Sequence, residues 1–188
     1  MAVTPLSEDP PDPPPGEPDA TPNPTPESTM SNDDLIKRLD TLESRNAIER
    51  LIYTYAQAYD RHDIKMLEGI WHAGAVLALG DDIGNFHGVP AILDAAHQLW
   101  AKTPNMHHWM ANALIDIDGD SATAETALDC FVTDTGTGPT QVGGLYRDRF
   151  ERRNGKWGFV ERRFELHYWT PITNWKPEAG LEALPKAA

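Results

Sequence analysis

Cysteine, basic clusters and long apolar runs are all scarce in this sequence. Its 188 residues include a single cysteine, Cys130, which excludes a disulfide framework within the chain. No apolar run approaches the ~18 residues that a transmembrane helix needs. The N-terminus lacks the basic start and apolar stretch of a signal peptide, which predicts a cytoplasmic protein. Because basic clusters are missing, nucleic acid is not an expected partner. Because a long apolar run is missing, a membrane is not an expected partner either.

Motifs for cofactors and metals are missing as well. The glycines of residues 80–84 and 136–138 match neither a dinucleotide-binding pattern nor a phosphate loop. The spacing of Cys and His is not that of a zinc site. We therefore expect a domain without metal or cofactor. Cys130 itself lies in an apolar run over 128–132 and is interpreted as a buried, unreactive thiol.

Prolines and acidic residues are concentrated at the N-terminus. Residues 1–30 contain ten of the 16 prolines, six of the 29 acidic residues and no Lys or Arg. Such a segment buries too little apolar surface to offset its ordering entropy, so it is predicted to be a disordered tail. One domain is predicted over 31–175, long enough to form a substantial core, with a C-terminal arm over 176–188.

Helical periodicity dominates the first half of the domain. Ser31 is a candidate N-cap, and apolar residues recur at helical spacing from Leu35 to Tyr59. This pattern predicts one long or broken helix over 32–60. A short helix is predicted over 64–70, a strand over 71–79, and a third helix over 91–101 after Pro90.

The second half has the alternation typical of strands. Four strands are predicted over 105–117, 121–134, 141–153 and 156–169. Asp118-Gly119 and Asn154-Gly155 are strong hairpin signals between them. Helices followed by an antiparallel meander indicate an α+β domain, in which a curved sheet wraps over the helices and leaves a pocket in its concave face.

Two polar residues stand out as candidates for chemistry. Asp60 follows Tyr55 and Tyr59 on the inner side of the long helix, where a carboxylate is tolerable only with a partner. His108 begins the first long strand, and alternation places it on one face with Met110 and Asn112, although either face could be the inner one. A solvated helix end and a structural histidine are the alternative interpretations.

Arg162 is the third candidate. In the last strand it is the one charge in a row with Val160, Phe164, Leu166 and Tyr168. A buried arginine needs a carboxylate or a ligand anion. A structural ion pair, for example with Asp60 or Asp129, and a functional role are equally compatible with this position.

Several stretches together resemble the SnoaL-like branch of the nuclear transport factor 2-like superfamily. They are residues 47–60, the turn at 88–90, and residues 107–112, 143–148, 151–157 and 168–171. Within that branch the sequence is similar to lindane dehydrochlorinase, scytalone dehydratase and bile-acid 7α-dehydratase. The resemblance implies a conical barrel of N-terminal helices packed in a strongly curved antiparallel sheet, without metal or cofactor.

The resemblance also implies site residues. Asp60 and His108 match the Asp–His pair of these enzymes, with His108 as general base and Asp60 orienting the ring. Arg162 matches an arginine on the last strand, and Tyr55 matches the tyrosine of the bile-acid enzyme, where the dehydrochlorinase has lysine. Tyrosine suits an oxygen leaving group. Substrate contacts are expected from Tyr59, Trp109, Met110, Asn112, Phe131, Phe164, Tyr168 and Trp169.

The expected function is a cofactor-independent lyase that performs a dehydratase-type β-elimination. Its expected partner is a small hydrophobic substrate of aromatic, alicyclic or steroid-like character. A ketosteroid-type isomerase and a non-catalytic ligand-binding module are the alternatives. Relatives imply a homodimer or homotrimer formed through the exposed face of the sheet.

Overall fold

A computed structural model describes residues 30–81 and 83–172. Apart from Met30, the predicted tail and C-terminal arm lie outside these residues. The helices are α1 (Asn32–Arg61), α2 (Ile64–Glu68) and α3 (Val89–Lys102). The strands are β1 (Trp71–Ala78), β2 (Asn85–His87), β3 (Asn105–Asp118), β4 (Ser121–Asp134), β5 (Gly138–Arg153) and β6 (Lys156–Pro171). None of the described helices is long and apolar enough to cross a membrane.

The long helix α1 is continuous. The Ser31 hydroxyl caps its start by accepting the Asp34 N–H at 3.1 Å. At its other end His62 adopts φ 53°, and its N–H donates to the carbonyls of Ala58 and Tyr59. Only the second half of α1 is buried against the sheet, from Ser44 onwards.

The six strands form one curved, unclosed sheet in the order β2-β1-β6-β5-β4-β3. The predicted α+β architecture is confirmed, with α1 contacting β3 and β6. The predicted antiparallel meander is formed by β3 to β6, and β1 extends the sheet by pairing with β6 in parallel. Strand β2 was not predicted, since its three residues are too short to carry a period; it pairs antiparallel with β1.

Two tight turns confirm the predicted hairpins. Asn154 and Gly155 both have positive φ, at 52° and 75°, which is the type I′ geometry between β5 and β6. Gly119, with φ 56°, lies in the turn between β3 and β4. The long strands are therefore joined in the order that the turn residues indicate.

A β-bulge interrupts the alternation of β3. The register with β4 shifts between Ala111 and Leu114, and Asn112 has φ 53°. His108 and Met110 are partly buried before the bulge, but beyond it Ile115 is buried and Leu114 is exposed. The predicted common face of His108 and Asn112 is therefore wrong, because period-two counting fails where one extra residue is inserted.

Bulges also change the predicted faces of β6. Its register with β5 shifts between Phe159 and Glu161, and again between Leu166 and Tyr168. Phe159 and Arg162 are three residues apart, so strict alternation places them on opposite faces of β6. Both are nevertheless fully buried. The second shift brings Trp169 rather than Tyr168 to the concave side. The core fills the space between α1, α3 and this concave face.

Asn112 allows a direct test of the bulge. Asn112→Val is expected to lower the free energy of unfolding by about 1–2 kcal/mol, because a β-branched residue is disfavoured at positive φ. Asn112→Gly should stay within about 0.5 kcal/mol of the parent. Urea denaturation of both variants measures the difference. Equal stabilities of the two would contradict the positive φ at this position.

Candidate functional site

An apolar cavity lies between α1, α3 and the concave face of the sheet. Its lining comprises Tyr55, Tyr59, Leu79, Ile83, Leu99, Thr103, Met106, His108, Leu128, Cys130, Val132, Val142, Tyr146, Phe164 and Trp169. It encloses about 60 Å³, less than the ~300–1,000 Å³ of sites for drug-sized ligands. The most exposed side chains of the lining are Ile83 and Trp169.

Asp60 and His108 form a hydrogen-bonded pair at this cavity. His108 Nδ1 lies 2.6 Å from Asp60 Oδ1, and the backbone N–H of His108 donates to Oδ2 of the same carboxylate at 3.0 Å. Because a carboxylate only accepts, Nδ1 carries the hydrogen. The side chains of His108 and Asp60 are only 8% and 12% exposed. The carboxylate thus fixes both the position and the tautomer of the ring.

The end of α1 is held so that Asp60 reaches β3. Trp100 of α3 donates its indole N–H to the Tyr59 carbonyl at 3.1 Å. The ring of Trp100 also stacks on that of His62, with centroids 5.0 Å apart. A carboxylate at a helix C-terminus is disfavoured by the helix dipole. The three hydrogen-bonding contacts from His108 compensate for that unfavourable position.

Three buried tyrosines supply further polar groups of the cavity. Tyr55, Tyr59 and Tyr146 interact through their hydroxyls. Burial raises the pKa of each of them, most strongly for Tyr59 and Tyr146. The three hydroxyls therefore remain protonated at neutral pH and can act as hydrogen-bond donors.

Arg162 lies behind two of these rings. Its guanidinium carbon is 4.2 Å from the ring centroids of both Tyr55 and Tyr146 and 4.5 Å from that of Phe159. Its Nε and Nη2 donate to the two carboxylate oxygens of Asp148 at 2.8 and 2.7 Å. Asp148, rather than the suggested Asp60 or Asp129, is thus its ionic partner. Arg162 does not line the cavity.

This ion pair is completely buried, with both side chains at 0% exposure. Burial tends to lower the pKa of Arg162, but Asp148 outweighs that effect and the pKa is raised. Burial raises the pKa of Asp148, and Arg162 opposes the shift. Nη1 of Arg162 has no hydrogen-bond partner among the described residues.

The structure brings together only part of the predicted site. Tyr55, Tyr59, His108, Phe164 and Trp169 line the cavity, with Asp60 and Arg162 behind them. The other predicted substrate contacts lie elsewhere: Trp109, Met110, Asn112, Phe131 and Tyr168. The bulges of β3 and β6 account for two of these five differences, Asn112 and Tyr168.

Trp109 and Phe131 face away from the cavity and contact each other, with ring centroids 5.5 Å apart. Tyr168 donates its hydroxyl to Asp129 on the outer face. Asn112 occupies the bulge of β3. Met110 packs against the core without reaching the cavity. Because His108 and its partner Cys130 lie on the inner face, alternation places their neighbours Trp109 and Phe131 on the outer face.

Two residues at the centre of the structure were not predicted, Tyr146 and Asp148. Both lie on the buried face of β5, where Val142, Gly144, Tyr146, Asp148 and Phe150 alternate. Asp148 is also the register partner of Arg162 on β6. The sequence did contain a signal for this ion pair. Asp148 is the one acidic residue on an apolar face of β5, and the next strand has Arg162 as the one basic residue in an apolar row.

Cys130 lines the cavity as the cross-strand neighbour of His108. It is buried, and desolvation raises the pKa of its thiol to about 12. The thiol therefore stays protonated at neutral pH, and without the thiolate it is a poor nucleophile. In residues 30–81 and 83–172, no group of three or more His, Cys, Asp or Glu side chains could hold a metal ion.

Comparison with known proteins gives the family of this fold. Residues 40–163 match the family model described as SnoaL-like domain. The chain belongs to the SnoaL-like family. This family is part of the nuclear transport factor 2-like superfamily, as the sequence resemblance implied.

The curated relatives of this SnoaL-like domain are dehydrochlorinases. The gamma-hexachlorocyclohexane dehydrochlorinase of Sphingobium indicum is 28% identical over 138 residues, which cover 71% of this chain and 87% of the relative. Hexachlorocyclohexane dehydrochlorinase 1 of the same species is 26% identical over 153 residues, covering 80% and 95%. These distant relatives are lyases that eliminate HCl.

Solved structures agree with the fold. A type 2 hexachlorocyclohexane dehydrochlorinase superposes with a TM-score of 0.72 at 24% identity, covering 76% of this chain and 99% of that one. The crystal structure of LinA, a lindane dehydrochlorinase, superposes with a TM-score of 0.71 at 26% identity, covering 74% of this chain and 98% of that one. A scytalone dehydratase-like protein of Novosphingobium aromaticivorans gives 0.65 at 18% identity, covering 70% and 89%.

The buried ion pair of the SnoaL-like domain leads to a stability prediction. Arg162→Met is expected to lower the free energy of unfolding by about 3–5 kcal/mol, because it leaves Asp148 buried without a counter-ion. Adding Asp148→Leu to that variant should restore part of the loss. Chemical denaturation of the single and double variants measures both effects.

The matched control is Arg149→Met. Arg149 pairs with Glu161 at 3.3 Å on the outer face, but its side chain is 63% exposed. Its replacement is expected to cost less than about 1 kcal/mol, since solvent weakens such pairs. Equal losses for Arg149→Met and Arg162→Met would contradict the structural role of the buried pair.

Proposed function

We propose that this chain is a cofactor-independent lyase that performs β-elimination on a small, neutral, hydrophobic substrate. The observation that carries the proposal is the 2.6 Å contact between Asp60 and His108 at the wall of an apolar cavity. Membership of a family with lyase relatives supports the same reaction class. Fold alone does not define the function, so the argument rests on the geometry of the site.

The proton is taken by His108. With Nδ1 donating to Asp60, Nε2 is the ring atom available to a substrate. Imidazole is the commonest general base in enzymes, and a carboxylate on its other nitrogen stabilises the imidazolium that forms. The pair Asp60–His108 therefore abstracts a proton from a substrate carbon, and the electrons of that C–H bond form the new C=C bond.

The leaving group departs from the neighbouring carbon. Tyr55 and Tyr146 have protonated hydroxyls and line the same cavity as His108. For an oxygen leaving group, a tyrosine hydroxyl donates a hydrogen bond or a proton as the C–O bond breaks, and water is released. A halide leaves without a proton. Arg162, lying behind both rings, favours negative charge that develops on the tyrosine side.

The lining also restricts the substrate. Among the described residues of the cavity wall none is Lys, Arg, Asp or Glu. A charged substrate group would be desolvated there without an ionic partner, which is costly. A neutral aromatic, alicyclic or steroid-like molecule fits this environment. Arg162 does not serve as an anion-binding residue in this proposal, because Asp148 already neutralises it.

The reaction can be identified by mass. The purified protein is incubated with a panel of chlorinated alicyclic compounds, cyclic alcohols β to a carbonyl, and unsaturated ketosteroids. We expect the loss of HCl or of water from at least one compound. A product of unchanged mass would indicate isomerisation, the alternative that uses the same base, and no turnover on any compound would favour a binding module.

Replacement of the pair tests the base. His108→Ala is expected to abolish turnover of the compound identified in that panel. Asp60→Asn should lower kcat by about 10³–10⁴-fold, because the amide can donate to Nδ1 and so favours the wrong tautomer. The control is His107→Ala, the outward-facing neighbour of His108. Full activity of either pair variant would refute the mechanism, provided that circular dichroism shows a folded protein.

Replacement of the tyrosines tests the leaving-group step. Tyr146→Phe and Tyr55→Phe are each expected to lower kcat by about 10²-fold or more for loss of water, because a hydrogen-bond donor to the developing charge is removed. The loss should be much smaller for a chlorinated substrate, since chloride needs no proton. Equal effects on both leaving groups would contradict this assignment.

A further inference from the structure

The first part of α1 extends beyond the body of the domain. Residues 30–43 are all exposed, and Ser44 is the first buried residue of the helix. The attachment point is Arg152, which donates to Asp40 at 2.6 Å and to Ser44 at 3.3 Å. The family match begins at residue 40, so residues 30–39 of this extension precede the SnoaL-like domain.

The extension carries large apolar side chains that contact solvent. Leu35, Ile36, Leu39 and Leu42 are 48%, 64%, 56% and 64% exposed. Isolated exposed leucines are ordinary, but four of them within eight residues form a continuous apolar patch. The patch lies on the side of α1 away from the domain, because Leu39 and the buried Ile48 point in roughly opposite directions around the helix axis.

The spacing of this patch is that of a coiled coil. Leu35, Leu39, Leu42 and Asn46 are separated by four, three and four residues, which corresponds to positions d, a, d and a of a heptad. We call these four residues the α1 seam. A single Asn at position a is a common device that fixes the register and favours two strands.

We propose that the α1 seam pairs with the α1 seam of a second copy of this chain, in a parallel, in-register, two-stranded coiled coil. Charges beside the seam support this partner and this direction. Arg38 and Glu43 occupy positions g and e, so parallel pairing brings Arg38 of each copy next to Glu43 of the other. An antiparallel arrangement would instead bring arginines of the g positions together.

Both charges are available for such contacts. The ion pairs in this part of α1 join Asp40 to Arg152 and Arg45 to Glu49. Arg38 and Glu43 form no ion pair within residues 30–81 and 83–172. Further along, parallel pairing would place Arg45 against Arg50, which are like charges. The coiled coil therefore ends near Asn46, and the short seam makes dimerisation concentration-dependent.

The N-terminal segment is a poor alternative cover for the seam. The 29 residues before Met30 contain ten prolines and only three large aliphatic side chains, those of Met1, Val3 and Leu6. Residues 173–188 offer Trp175, Leu181 and Leu184. A second copy instead provides three leucines at matching spacing together with complementary charge.

Disulfide trapping in the full-length chain tests the pairing. Leu42→Cys places a thiol at a d position, where the two copies come close enough for an interchain disulfide. The matched control is Thr41→Cys, which is equally in the exposed part of α1 but off the seam. The native Cys130 is buried and does not interfere. Dimer formation under mild oxidation is followed by non-reducing electrophoresis.

We expect Leu42→Cys to form the covalent dimer at least tenfold faster than Thr41→Cys. Adding Leu39→Ser to Leu42→Cys should reduce the rate to that of Thr41→Cys, whereas Leu114→Ser on the outer sheet face should not. Equal rates for Leu42→Cys and Thr41→Cys would overturn the proposal. It would also be overturned if Leu42→Cys reacted rapidly only after removal of residues 1–29 or 173–188, because the chain would then cover its own seam.

Discussion

The buried ion pair between Arg162 and Asp148 is the interaction on which the arrangement of the site depends. It joins β6 to β5 across the concave face and places a guanidinium 4.2 Å from the ring of Tyr55 on α1. Tyr55 thereby fixes the position of α1 on the sheet. Tyr59 and Asp60 lie about one turn further along the same helix, close to its end, and Asp60 contacts His108 on β3. The buried Arg162–Asp148 pair thus contributes, through Tyr55 and α1, to the position of the Asp60 carboxylate.

The same pair explains why the cavity is neutral. A cation in direct contact with the cavity would attract an anionic substrate, but Arg162 is covered by two tyrosine rings and balanced by Asp148. The hydroxyls of those rings stay protonated, because burial raises their pKa. The result is a cavity whose described lining has hydroxyl donors and the imidazole of His108 but no Lys, Arg, Asp or Glu. That combination suits proton abstraction from carbon beside a leaving group more than it suits recognition of an ion.

Local signals in the sequence predicted most of the elements, and β-bulges account for the residues of β3 and β6 that alternation assigned to the wrong face. Helical period and the Ser31 cap located α1, and Asn154-Gly155 located a hairpin, because each signal is contained within a few residues. Bulges at Asn112 in β3 and near Val160 in β6 are set by the pairing of distant strands. Counting by two therefore failed for Asn112, Phe159 and Tyr168. Alternation left both faces of β3 open for His108, so its pairing with Asp60 followed only from the resemblance to the family.

Helix α1 illustrates how far a periodic pattern can be interpreted. Its apolar residues form two stripes on different faces, one from Ile48 to Tyr59 that is buried and one from Leu35 to Leu42 that is exposed. A single continuous core-facing stripe would have a constant direction around the helix. The change of face coincides with Arg152, where the body of the domain ends. Periodicity predicted the helix correctly, but only the direction of each stripe distinguishes residues that fold the domain from residues that are free to contact another chain.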